Sequence, residues 1–265
     1  MRIAHLTDLH ITELPPRLSG YFDRRLSGSL NLQLLGRGER YRDSAQRGRH
    51  AVQQIIEASP DAVVFGGDAT SLSSDAEFAG AAEVLAPLLQ LGIPCFALPG
   101  NHDRYTASAQ KRRLFEKAFA DWTLFEAGWH DVQVAGQTLT FVDTARANRL
   151  LWDSRGKELE VPNRCPRLIF AHYAVLNHNA KPDKKWHALR QESLLRSALR
   201  DGPGSTWCCG HLHRSFAARA GGLIQFCAGS VGGPSGAWQM IEVDDSDISR
   251  RAWSHKGEGK LSKLR

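Results

Sequence analysis

Five short blocks along the 265-residue chain collect side chains that can do chemistry: Thr7-Asp8-Leu9-His10, Gly66-Gly67-Asp68, Gly100-Asn101-His102-Asp103, His172 and Gly210-His211-Leu212-His213. Carboxylates, imidazoles and amide carbonyls bind divalent first-row metal ions, and imidazole also moves protons near neutral pH. Taken singly, each block has a plain structural reading. Asp8 and His10 make a turn, Gly66-Gly67-Asp68 makes a strand end with an Asp cap, and His172 makes a hydrogen-bonded core histidine. The ordered combination D-x-H, G-D, G-N-H-D, H, G-H-x-H is poorly explained by such separate structural roles.

What precedes each block strengthens the point. Short apolar runs at 2–6, 62–65, 95–98, 167–171 and 206–209 read as strands, and each runs directly into a block. Ligands collect beyond the carboxyl ends of strands in α/β sheets. Further strands are predicted at 131–134, 138–142, 215–219, 223–228, 238–243 and 248–253, and helices at 43–58, 75–89, 109–118 and 190–199. Helices alternate with strands early, whereas the last third is strands and turns. The fold class is therefore α/β, with a layered sheet-on-sheet core and helices outside.

Composition sets outer bounds. Hydrophobic residues make up 42% and charged residues 23%, enough apolar material for a sizeable core. There are no repeats, and no apolar run reaches the roughly 18–20 residues of a membrane span. The chain enters its first strand without a signal-peptide pattern, which predicts a cytoplasmic location. Cys95, Cys165, Cys208, Cys209 and Cys227 form no CxxC pair, and all but Cys165 lie in apolar segments, which argues against a zinc finger or redox site. The net charge of +6 is local. Seven arginines fall between Tyr21 and Arg49, and six basic residues between Ser249 and Arg265.

The blocks resemble those of the calcineurin-like metallophosphoesterases, in order and from the first strand to His213. The resemblance implies a two-sheet β-sandwich core flanked by helices, here a single domain over 1–265 with an inserted basic, leucine-bearing segment at about 20–49. It implies that Asp8, His10, Asp68 and His213 hold one metal ion, and Asp68, Asn101, His172 and His211 a second. Two ions about 3.5–4 Å apart need a shared charged oxygen, the part assigned to Asp68. Mn, Fe, Zn or Co suit this mixed donor set better than Mg or Ca. The expected chemistry is attack of metal-activated hydroxide on a phosphate ester.

The resemblance leaves His102 off the metals, with the task of assisting the leaving group. Asp103 is expected either to fix the His102 tautomer, or to serve as an Asx-type turn or a salt bridge to Arg104. His5 reads as a strand histidine; His50, His130, His187 and His255 read as surface residues. His178, close after His172, is singled out for testing. One departure from the family pattern is His172-Tyr173-Ala174, where many related phosphodiesterases carry proline.

Asp68-Ala69-Thr70-Ser71 lacks the Asp-Arg-Gly of the related protein phosphatases, and the stretch after His213 is too short for a dedicated nucleic-acid domain. The layout resembles small bacterial phosphodiesterases, which implies phosphodiesters of small or nucleotide-type substrates. The alternatives are hydrolysis of a lipid-linked nucleotide phosphate at an anionic membrane surface, which His102 in place of arginine disfavours, and a non-catalytic scaffold. Within 20–49, Phe22, Leu26 and Leu30 share a helical face, followed by a loop broken at Gly36 and Gly38. That segment is a lid, a membrane contact or plain packing, and is expected to act on substrate capture and not on the chemical step.

Overall fold

The structure, a computed structural model, describes residues 1–13, 37–146 and 155–262. In chain order these form β1 Arg2–Leu6, α1 Arg37–Tyr41, α2 Ser44–Ala58, β2 Ala62–Phe65, α3 Asp75–Leu89, β3 Cys95–Ala97, α4 Ala107–Lys111 and α5 Leu114–Ala118. There follow β4 Thr123–Leu124, β5 Trp129–Val134, β6 Gln137–Val142, β7 Leu168–Phe170, α6 Glu192–Asp201, β8 Ser205–Cys209, β9 Phe216–Ala220 and β10 Leu223–Cys227. The chain ends with β11 Trp238–Val243, β12 Ile248–Ser254 and β13 Gly257–Ser262. Phe22, Leu26, Leu30 and Gly36 lie outside the described residues, whereas Gly38 sits inside α1 and not in the expected loop.

One sheet has the order β13-β12-β11-β1-β2-β3-β4 and the other β5-β6-β7-β8-β10-β9. β1 to β4 are mutually parallel, and so are β6, β7, β8 and β10. Their side chains alternate between two apolar layers. Ile3, Ala62, Val64 and Phe96 meet Phe141, Phe170, Cys208 and Phe226 between the sheets. Ala4, Leu6, Val63 and Phe65 face Val52 and Ile55 of α2 and Phe78, Ala81 and Leu85 of α3. Beyond the other sheet, Ile169, Trp207 and Cys209 pack with Leu195 and Leu199 of α6. Strands buried on both faces read as unbroken apolar runs, which is why they were legible.

His5 is a strand histidine, as expected. It lies between the sheets with its ring edge-on to Phe170, and Gln239 donates to its Nδ1 at 2.8 Å. Burial pushes its pKa down to about 3, so the ring is neutral. The predicted helix at 109–118 is instead broken into α4 and α5, because Arg113 adopts φ 54 and turns the chain before Leu114 and Phe115 enter the core. No strand was expected at β4, which is two residues long, or at β13, whose Gly257-Glu258-Gly259-Lys260 has no apolar alternation.

α3 begins with a capping box. Ser74 accepts from the Glu77 N–H at 3.1 Å while the Glu77 carboxylate accepts from Ser74 N at 3.0 Å. The same carboxylate accepts from Leu72 N at 2.9 Å and Glu13 N at 3.4 Å, so one side chain secures the loop after β2. Burial pushes Glu77 from 4.5 up to about 7, against the pull of those N–H groups. The folded chain thus holds this proton more tightly than the unfolded chain, and the stabilisation is full below pH 4.5 and lost as pH rises through about 7. Compared with Glu77→Gln, wild-type protein should lose up to about 3 kcal/mol of relative stability across that window in urea unfolding. A stability gap that stays constant with pH would contradict this.

Candidate metal centre

Parallel pairing places the carboxyl ends of β1, β2 and β3 side by side, and those of β7 and β8 likewise in the other sheet. The blocks leave these ends as loops tied to one another. Asp8 N donates to Gly67 O at 2.8 Å, His10 N to Asp68 O at 3.0 Å, and Gly210 N to His172 O at 3.0 Å. His211 N crosses between the sheets to donate to Asp8 Oδ2 at 3.0 Å. The approach is too close for side chains at two glycines. A Cβ on Gly100 would lie 2.1 Å from Asp68 Oδ1, and one on Gly210 2.3 Å from Asp8 Oδ2. Asp8, His10, Asp68, His211 and His213 all have positive φ, between 51 and 67. Each costs of order 1–3 kcal/mol and persists only because its surroundings impose it.

The result is two adjoining clusters. Ligand atoms of Asp8, His10, Asp68 and His213 all lie within 4.8 Å of one another. His213 Nε2 is 3.0 Å from Asp8 Oδ1 and 3.0 Å from His10 Nε2. In the second cluster, Asn101 Oδ1 is 3.2 Å from His172 Nε2 and 2.9 Å from His211 Nδ1. Asp68 joins the two: its Oδ2 is 3.6 Å from His10 Nε2 and 3.4 Å from His172 Nε2, while its Oδ1 accepts from His102 N at 2.7 Å.

The donor set fits divalent metal ions. Asp8 Oδ1 and Asp68 Oδ2 are buried without a hydrogen-bond partner among the described residues, and both face imidazole nitrogens. A buried charge left so is very costly unless a cation answers it. Burial alone would raise both carboxyls, but the neighbouring imidazoles hold them well below the usual range: chiefly His213 for Asp8 and His172 for Asp68. Burial likewise would lower His172, yet the Asp68 carboxylate raises it to about 10. His211 is lowered by burial and by its neighbours His187 and His172, and so sits ready as a neutral ligand.

Asp103 does not orient His102. Its carboxylate accepts from Gly100 N at 2.9 Å and Thr70 N at 3.2 Å, clamping the second and third blocks together. Burial, then the Asp68 charge, pushes it up to about 7. Arg104 pairs with Asp143 at 2.9 Å and not with Asp103. The Ser71 carbonyl fixes His102 instead, 2.7 Å from Nδ1. His178 sets its ring edge-on to Phe216, and His187, read as a surface residue, is the histidine that meets His211 in the cleft. Its ring stacks on His211 with centroids 4.0 Å apart, its carbonyl is 2.9 Å from His211 Nε2, and Asp183 accepts from its Nδ1 at 2.7 Å. The i, i+4 pair Asp183/His187 was the available signal. Tyr173, which directly follows His172, packs its ring against His211 with centroids 4.2 Å apart.

A cleft of about 370 Å³ opens over the clusters, lined by Asp68, Asn101, His102, His211 and His213 together with Arg40, Asp183, Lys184, Trp186 and His187. Other arginines of the basic segment are engaged in ion pairs: Arg42 with Glu39, Arg47 with Asp43 and Arg49 with Glu83. No described helix is long and apolar enough to cross a membrane.

A two-layer sandwich carrying its ligands at the strand ends of both sheets is the architecture of a dinuclear-metal phosphoesterase. The sequence profile of the calcineurin-like phosphoesterases matches residues 1–215, and the chain belongs to that family, whose members depend on two metal ions. Phosphodiesterase YaeI of Escherichia coli K12 is 29% identical over 170 residues, covering 62% of this chain and 52%, about half, of that relative's length. A dimetal phosphatase of Danio rerio shares the fold, with a TM-score of 0.63 at 15% identity, over 100% of this chain and 98% of that one.

Because His172 carries a proton up to about pH 10 while only protein groups surround it, binding of a metal ion there must expel that proton. Apparent metal affinity should therefore rise with pH between 6 and 8, by up to about tenfold per pH unit for each proton released. Competition with a chelator at each pH, corrected for the chelator's own titration, measures the slope. A flat profile would contradict proton displacement.

Proposed function

We propose that the protein is a phosphodiesterase with a dinuclear centre of Mn, Fe, Zn or Co, acting on phosphodiesters of small or nucleotide-type alcohols. The observation that carries this reading is Asp68 Oδ2, buried, without a hydrogen bond, and set between one histidine of each cluster at 3.6 and 3.4 Å. Asp8, His10, Asp68 and His213 would hold one ion, and Asp68, Asn101, His172 and His211 the other. When bound, the ions would supply Lewis acidity at the phosphoryl oxygens and an acidified water at neutral pH. The relative named as a phosphodiesterase supports the choice of diesters. A scaffold would be marked by a missing ligand, and every block here is complete.

The chain's own residues set the remaining steps. Asp68 keeps its orientation because His102 N holds the second carboxylate oxygen. Arg40 and Lys184 put positive charge on the cleft that receives the diester anion. His102 lines the same cleft, and the Ser71 carbonyl engages its Nδ1 proton. In its doubly protonated form the ring presents an Nε2 proton to the leaving oxygen, which makes His102 the general acid.

Two substitutions test this. Asp68→Ala should abolish hydrolysis of a nitrophenyl diester and lower the bound metal; near-normal activity in chelated buffer would sink the two-ion reading. His102→Ala should keep its metal and lose roughly 10²–10⁴ in kcat on esters with poor leaving groups. Its loss should shrink for nitrophenol, which departs with little protonation. Equal losses for good and poor leaving groups would remove His102 from the acid role.

A further inference from the structure

A metal-ligating histidine keeps its geometry when its second ring nitrogen is held, because that bond fixes both tautomer and ring plane. Backbone carbonyls do this at three of the histidines: Thr70 O for His10 Nδ1 at 3.2 Å, Gly66 O for His172 Nδ1 at 2.8 Å, and His187 O for His211 Nε2 at 2.9 Å. At His213 a side chain takes that place. Its Nδ1 lies 2.6 Å from the phenol oxygen of Tyr41. We propose that Tyr41 is the positioning residue for His213, and so part of the metal centre although it stands outside the five blocks. The assignment rests on the two-ion reading above.

His213 turns Nε2 toward Asp8 Oδ1 and His10 Nε2, and with an ion on Nε2 the ring's remaining proton would sit on Nδ1 and be donated to Tyr41. A carbonyl can only accept, whereas a phenol accepts and also donates. The Tyr41 hydroxyl is 3.5 Å from Ser230 Oγ, and Ser230 donates to the Asp8 carbonyl oxygen at 2.7 Å. The bonds thus run from one ligand of the first cluster to the backbone of another. Tyr41 is 1% exposed, and its ring packs on His10 with centroids 4.6 Å apart. Arg47 holds it in place by donating both to Arg40 O at 2.9 Å and to Gly232 O at 3.0 Å, which pins the end of α1 against the Ser230 loop. On this reading the 20–49 segment does more than capture substrate, because its Tyr41 orders a metal ligand.

Tyr41→Phe keeps the ring against His10 and removes the acceptor. Wild-type and variant proteins, each loaded with Co²⁺, are titrated with a chelator while bound ion is counted and its visible absorption followed. Two ions should bind both proteins at saturation. One of them should leave the variant at roughly 10–100-fold lower chelator concentration, the usual loss when such a partner is removed, with a shifted absorption band. Ser230→Ala, which breaks the next link, should weaken the same ion by less. Metal-free wild type and Tyr41→Phe should melt at similar temperatures, so that the effect belongs to the metal and not to folding. Unchanged chelator midpoints and spectra in Tyr41→Phe would overturn the assignment. Wild-type protein that binds fewer than two ions would overturn the two-ion reading and this assignment with it. Should Tyr41→Phe not fold, Ser230→Ala carries the test alone, and undiminished affinity there overturns the proposal.

Discussion

Two carboxylate oxygens, Asp8 Oδ1 and Asp68 Oδ2, are removed from water with no hydrogen bond to satisfy them, and the rest of the centre is arranged around that deficit. Desolvating a carboxylate costs several kcal/mol even after relaxation. The imidazoles of His10, His172 and His213, turned toward these oxygens at 3.0–3.7 Å, offset part of it. Those imidazole nitrogens also face one another: His10 Nε2 and His213 Nε2 are 3.0 Å apart, so at most one of them can carry a proton between them. Only positive charge in the middle relieves both the anionic oxygens and the crowded nitrogens. The ring of left-handed residues follows from the same requirement, since strand ends in ordinary extended geometry would send successive side chains to opposite faces.

Both sheets are needed to meet that requirement. β1, β2 and β3 bring Asp8, His10, Asp68 and Asn101, and β7 and β8 bring His172, His211 and His213. The bonds His172 Nδ1 to Gly66 O and His211 N to Asp8 Oδ2 stitch the two rims together. The apolar layer between the sheets, rich in stacked phenylalanines such as Phe125, Phe141 and Phe170, sets the spacing across which those bonds must reach. Packing far from the rim therefore governs the geometry of its carboxylates and imidazoles, because a close-packed interior transmits small displacements instead of absorbing them.

Much of this was legible in the sequence for a definite reason. An apolar run that stops at Asp, Asn or His records, in adjacent residues, both a buried strand and the chemistry at its end. What escaped was whatever depends on neighbours far along the chain. Tyr41 is an ordinary aromatic residue until folding brings it to His213, 172 residues away. His187 acts on His211 through its backbone carbonyl, which no side-chain pattern reveals. Asp103 stands beside His102 in sequence, yet its carboxylate turns inward to the N–H groups of Gly100 and Thr70. The helix break at Arg113 and the glycine-bearing β13 were hidden because local propensity there opposes the structure adopted.

The place of β1 within its sheet has a consequence for biosynthesis. It pairs with β2 on one side and with β11 on the other, so its second edge stays open until Trp238–Val243 has been made. Asp8 and His10 leave the ribosome well ahead of His213, which follows His10 by 203 residues. A chain growing at about 5–20 residues per second carries these ligands for roughly ten seconds or more before their partners exist. During that interval its carboxylates and imidazoles are solvated, and whatever ion they meet is held loosely. The grouping of these side chains thus belongs to the last moments of folding, when β11 closes over β1 and the strand ends of both sheets are drawn together.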